Sequence, residues 1–262
     1  FFSFSSFLGG IADNFKSNFL YNGNDISVVE ADEYDRSFLN LSPDWAVITS
    51  TDADHLDIYG DKATIEQGFR DFANLIPSDQ QLFVRKGIHI GRPAKTYAVN
   101  EEADYYSDNI REIGDKIYFD FHTPTEEIDD FEWEIPGIHN VENATVAIAI
   151  LHNLGVDFET LKQGIANFKG IKRRYTKHRF ENGKIYIDDY AHHPTELNAV
   201  IGSIKTFYPE KKLLVVFQPH LFSRSRDFAD GFAESLGNAD GLILLDIYPA
   251  RELQENFEGV SS

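Results

Sequence analysis

Six apolar runs of strand length recur along the chain, at residues 26–29, 46–49, 82–84, 185–187, 213–217 and 242–245. Stretches of helical period lie among them at 64–75, 141–154, 158–168, 195–207 and 228–236. Short apolar runs suit strands covered on both faces, and strands that alternate with helices return to the sheet in parallel. The pattern predicts an α/β fold with a mainly parallel sheet. Residues 96–134 depart from it. There YYSDNIREI and KIYFDFHT flank Gly114-Asp115, which predicts an antiparallel hairpin. Gly170 closes a helical stretch and a basic run follows, so a boundary is expected near 170–175, with one domain over 1–173 and a second over 174–262.

Composition excludes several functions. The 262 residues suffice for two ordinary domains or one large one, with a core that needs no disulfides. Lys+Arg is 24 against Asp+Glu 43, and a net charge of −19 opposes binding to nucleic acid or an anionic membrane. The absence of Cys removes a disulfide scaffold, thiolate zinc sites and a Cys nucleophile. No apolar stretch approaches the roughly 20 residues that span a bilayer. The opening FFSFSSFL lacks the basic flank of a signal peptide, so a cytoplasmic location is expected. Methionine is absent even at position 1, and only three strong strands follow residue 175. The chain is therefore expected to be part of a longer polypeptide, cut at both ends.

The distinctive polar clusters follow apolar strands, where open α/β sheets bind ligands. Glu30, Asp32, Glu33 and Asp35 lie after the first run; acids so dense need a cation, unless they form an acidic surface loop. Asp52, Asp54, His55 and Asp57 follow the second run, and if the two strands are neighbours, Glu30 and His55 share a rim and one ion. Asn140 and Asn143, three apart, share a helix face and could read a purine edge, although capping by Asn140 explains them as well. Lys172, Arg173 and Arg174 could clamp a phosphate or neutralise acids. Asp188, Asp189, Tyr190, His192 and His193 precede Pro194, which places the histidines at a helix N-terminus. Arg224 and Arg226, read as lying in a loop, could chelate a carboxylate or phosphate, or lie on the surface of a helix start.

Together these clusters resemble the Mur ligase family. The stretches that carry the resemblance are FLGGI (7–11), EADEYDRSFL (30–39), DADHLDIYG (52–60), GIHNVENA (137–144), KRRY (172–175), DDYAHHPTE (188–196), FQPHLFSRSRD (217–227) and YPARE (248–252), in family order. The DADH and YDRSFL forms favour the branch that adds L-alanine to UDP-N-acetylmuramate over the tripeptide-recycling branch. The resemblance implies a central ATPase domain followed by part of a Rossmann-like C-terminal domain, with a UDP-sugar domain ahead of both. It implies ATP and Mg²⁺, and ligation through an acyl phosphate. Glu30 and His55 would hold Mg²⁺. Asn140, Asn143, Arg174 and Asp189 would serve ATP. Arg174, Asp189, His193, Arg224 and Arg226 would form the catalytic set, the last three near the acyl phosphate or the incoming amino acid. The chain departs from the family in having no GxxxxGK[ST] loop, so alone it is expected not to ligate. A metal-dependent phosphoesterase built on Asp52, Asp54, His55, Asp188, Asp189, His192 and His193 is the alternative enzyme. It leaves the Asn pair and the arginines without a role. A non-catalytic remnant that binds a partner is the third reading.

Overall fold

Leu82, Phe83 and Val84 are buried on both sides of their strand, as a central parallel strand requires. In the computed structural model, which describes residues 2–52, 59–114 and 116–262, that strand is β5 (Leu82–Arg85). It lies in a six-stranded sheet with β4 (Ala46–Ile48), β6 (Lys95–Val99), β7 (Tyr105–Ile113), β8 (Lys116–His122) and β9 (Glu127–Trp133), which runs in chain order from β4 to β9. Neighbours from β4 to β7 are parallel, and β7, β8 and β9 are antiparallel. The expected hairpin is therefore β7–β8, and Gly114 sits at its end in the left-handed region at φ +68°. Helix α1 (Lys62–Asn74) is capped by Asp61, which accepts the Thr64 N–H. Its Phe72 and Ala73 pack with Ile48, Leu82 and Val84. Rings of Phe83, Tyr105, Phe121 and Phe131 form a chain of aromatic contacts at 5.7–6.3 Å.

A smaller sheet was not foreseen. β1 (Phe4–Ala12) pairs antiparallel with β2 (Ser17–Asn22) and parallel with β3 (Ile26–Val29). Serines interleave the phenylalanines of β1, which hides the strand from a search for continuous apolar runs. The sheet corrects two expectations. β3 is mostly exposed rather than buried, with Val28 and Val29 open to solvent. Moreover, β3 and β4 are not neighbours: β3 pairs with β1, β4 pairs with β5, and they belong to different sheets.

Two more helices follow, α2 (Ile138–Asn153) and α3 (Phe158–Asn167). Beyond them come β10 (Thr176–Arg179), β11 (Ile185–Asp188), α4 (Pro194–Phe207), β12 (Leu214–Phe217), α5 (Phe222–Asp227), α6 (Ala229–Leu236) and β13 (Gly241–Leu244). β10 and β11 form an antiparallel pair, and β12 and β13 a parallel pair. Leu197 and Ile201 of α4 pack with Phe217, Phe232 and Leu236 in a core of their own. The chain divides into two compact units, Phe1–Pro136 with Asn140–Lys172, and Gly137–His139 with Arg173–Ser262.

Candidate functional site

In the first unit, Glu30 is the residue directly after β3. Its backbone N–H bonds to the Phe7 carbonyl at 3.0 Å, so the strand pairing itself delivers the side chain. Glu30 Oε2 accepts the Gly9 N–H at 2.6 Å. This approach requires glycine, because a Cβ at position 9 would stand 2.6 Å from Glu30 Oε1. The carboxylate is exposed, and Oε1 takes no hydrogen bond from the described residues. Of the acids that follow, Asp32 is engaged locally by its side chain and Glu33 by its backbone. Asp32 Oδ1 accepts the Tyr34 N–H, and the Glu33 carbonyl accepts the Tyr59 hydroxyl at 2.6 Å. Burial, then the negative charge of Glu33, pushes the Tyr59 phenol upward. Asp35 and Arg36 both take left-handed backbone (φ 51° and 57°), which costs about 1 kcal/mol or more each in non-glycine residues. The Asp52 N–H bonds to Ser50 Oγ at 2.9 Å. His55, Asp54 and Asp57 lie outside the described residues.

Asn140 and Asn143 both lie on α2. The half-buried Asn140 donates from Nδ2 to the Pro136 carbonyl at 2.8 Å. A side chain that donates to a carbonyl from within the helix is not an N-cap, so the capping explanation is set aside. Asn143 is exposed and forms no side-chain hydrogen bond with the described residues.

In the second unit, a tight turn presents Arg174. Arg173 and Tyr175 on either side are left-handed (φ 62° and 53°); Tyr175 is buried while Arg174 reaches solvent. Asp189 holds this turn to its own, with Oδ2 accepting the Tyr175 N–H at 2.7 Å and Oδ1 the Ala191 N–H at 2.8 Å. His193 is the N-cap of α4. Its Nδ1 accepts the Thr195 N–H at 3.3 Å and Pro194 opens the first turn. Glu196 completes the capping box, accepting the N–H groups of His192 (2.8 Å) and His193 (3.1 Å) on Oε2. Its Oε1 lies 3.3 Å from Arg174 Nη1. His192 Nδ1 donates to the Tyr190 carbonyl at 2.9 Å. The guanidinium groups of Arg173 and Arg174 sit over the Tyr190 ring at 5.0 and 5.8 Å. Glu196 is the participant that sequence reasoning left without a role; its signal is the spacing of three from His193.

The later arginines need correction. They are in helix α5 rather than a loop, and residues two apart on a helix face different ways. Arg224 is buried, with Nη1 at 3.4 Å from His220 Nδ1; burial and then the Arg224 charge push the His220 pKa down. Arg226 is exposed, pairs with Asp227 at 2.8 Å and lies over the Phe257 ring. The two therefore do not chelate one anion. Leu221, left-handed at φ 70°, bonds through its N–H to the Tyr248 carbonyl, and Glu252 accepts both the N–H and the hydroxyl of Ser223. These bonds tie the segment after β12 to the one after β13.

Glu30 suits a hard cation that retains most of its waters, such as Mg²⁺, because it offers a solvent-facing carboxylate oxygen. Among the described residues no three or more His, Asp or Glu side chains are grouped to hold a metal ion. No helix among the described residues is long and apolar enough to cross a membrane.

Comparisons with known proteins extend this picture. The family described as Mur ligase middle domain matches residues 14–151, and that described as Mur ligase, glutamate ligase domain, matches 173–261. The UDP-N-acetylmuramate–L-alanine ligase of Christiangramia forsetii is 48% identical over 258 residues, 98% of this chain and 56% of its own length. That of Flavobacterium psychrophilum is 47% identical over 260 residues, 98% of this chain and 57% of its own. Among solved structures, the UDP-N-acetylmuramate–alanine ligase of Thermotoga maritima superposes with a TM-score of 0.76 at 26% identity, over 94% of this chain and 56% of that one. The chain thus spans a little over half the length of the relatives it matches.

Proposed function

Given that the chain belongs to the Mur ligase family, we propose that the protein carrying it is an ATP-dependent ligase that joins L-alanine to UDP-N-acetylmuramate. The observation that carries the reading is 47–48% identity across 98% of the chain to relatives named for that reaction. In the proposed chemistry a carboxylate oxygen of the muramic acid bonds to the γ-phosphorus as the bond to ADP breaks. The alanine amine then attacks the acyl carbon, the amine gives up a proton, and the C–O bond to phosphate breaks to leave the amide.

This chain's part is to position and to balance charge, which is most of what phosphoryl transfer asks of a protein. Glu30, with His55 as the second donor that the family resemblance implies, would hold Mg²⁺, which when bound draws charge from the phosphates. Asn140 and Asn143 would meet the nucleotide with amide donors and acceptors. Arg174 would meet it with a guanidinium presented by a strained turn, and Asp189 fixes the backbone of that turn. His193, at the N-terminus of α4, and, as separate contacts, Arg224 and Arg226 are assigned to the acyl phosphate or the incoming amino acid.

The test uses the complete protein. ADP should form only when UDP-N-acetylmuramate and L-alanine are both present with ATP. ADP release that needs neither, or metal-dependent hydrolysis of a phosphate ester without ATP, would overturn the proposal.

A further inference from the structure

Glu196 carries more bonds than a helix cap needs. A capping-box glutamate normally reaches back to one N–H, that of the N-cap residue. Here Oε2 takes two, from His192 and His193, while Oε1 faces Arg174, twenty-two residues earlier in the chain. His192 Nδ1 stands 3.4 Å from the same Oε2. One half-buried carboxylate thus spans the histidine turn and the arginine turn. Asp189 already joins these turns through backbone groups at Tyr175 and Ala191, so the backbone needs no second clamp. What Asp189 leaves unset is the direction of the long Arg174 side chain, which is about half exposed, with four rotatable bonds.

We infer that Glu196 is a positioning residue for nucleotide binding: it aims the Arg174 guanidinium while capping α4, so that the arginine turn and the histidine turn are set together. The inference rests on the assignment of Arg174 to ATP made above. The charge state supports it. Burial works to raise the Glu196 pKa, but the charge of His192, the backbone N–H of His192 and the charge of Arg174 outweigh it. The carboxyl is held below its ordinary value and stays ionised at neutral pH.

Glu196→Gln separates the two roles. Glutamine is an accepted capping-box residue, so its carbonyl keeps the bonds to the His192 and His193 N–H groups. Its amide nitrogen would then face Arg174, donor against donor. In the complete protein, Glu196→Gln should leave Tm near that of the unmodified protein and raise KM for ATP by about fivefold, the size of one exposed-to-half-buried charge-assisted contact, with kcat changed less. Glu196→Ala should raise KM for ATP and also lower Tm, because the cap is lost. Arg174→Ala should raise KM for ATP at least as much, and adding Glu196→Gln to it should change nothing further. If Arg174→Ala raises KM and Glu196→Gln does not, or if the two effects simply multiply, the positioning role is wrong while the ATP assignment stands. If Arg174→Ala itself leaves KM for ATP unchanged, the ATP assignment falls and the inference with it.

Discussion

The turn after β3 and the turn after β11 both place acids at the end of a strand, and they use them in opposite ways. Glu30 spends one oxygen on the Gly9 N–H and leaves the other to solvent. Asp189 spends both oxygens on backbone N–H groups, and Glu196 divides its pair between two backbone N–H groups and Arg174. The difference follows from the supply of donors. β3 runs beside β1, whose backbone is largely engaged in pairing and offers the acid one N–H at the Gly9 position. The 173–175 turn is left-handed at two residues, so its N–H groups point out of any ladder and must be met by side chains. An acid with an oxygen to spare can meet a ligand; an acid with none shapes the chain.

The sharpest way to break that contrast is Glu30→Gln in the complete protein. The amide still accepts the Gly9 N–H, so Tm should move little. The negative charge is lost, and ligation should fall by about 100-fold or more if the charge holds a catalytic cation. Normal turnover would make Glu30 a strand-end bond and nothing else. The counterpart is Asp189→Ala, where stability should suffer. Two N–H groups, at Tyr175 and Ala191, lose their acceptor, at a cost of about 1–3 kcal/mol in urea unfolding, less where water reaches them. An unfolding midpoint equal to that of the unmodified protein would remove the distinction between the two turns.

What the sequence made legible follows the same line. Strands β4, β5, β12 and β13 are continuous apolar runs and could be read directly, as could the β7–β8 hairpin from Gly114. Strands β1 and β6 mix polar with apolar residues and β10 (Thr-Lys-His-Arg) has no apolar residue, and only their partners make them strands. Glu30, Asp189 and His193 stood out because polar groups directly after an apolar run have few structural excuses. The role of Glu196 depends on Arg174, and that of Glu252 on Ser223, twenty-nine residues away. No local pattern encodes such pairs. FSRSRD is too short to show a helical period, so the sequence leaves α5 open between a loop and a helix start.

The smallest expected effect tests whether the second turn tolerates charge beyond what its acids hold. His139 lies near the ring of Tyr175 at 6.0 Å, and its Nδ1 is buried without a hydrogen-bonding partner among the described residues. Burial pushes its pKa below the ordinary 6.5; Asp189 and Glu196 pull it upward, Arg174 downward, and burial prevails. The unfolded chain therefore binds this proton more readily than the folded one. Stability should be full above pH 6.5 and should decline as pH falls below it, until the folded-state imidazole also takes up its proton. One such group contributes at most about 1.4 kcal/mol per pH unit, and half-buried His220, also pushed down, adds to the same slope. Urea midpoints measured between about pH 5 and 6.5, above most carboxylate titration, should rise with pH. In His139→Gln the slope should shrink while a pH-independent loss remains, since glutamine fills similar space but takes up no proton. An unchanged slope would mean that His139 takes up its proton as readily in the folded chain as in the unfolded one, so that the acids of the second turn offset its burial.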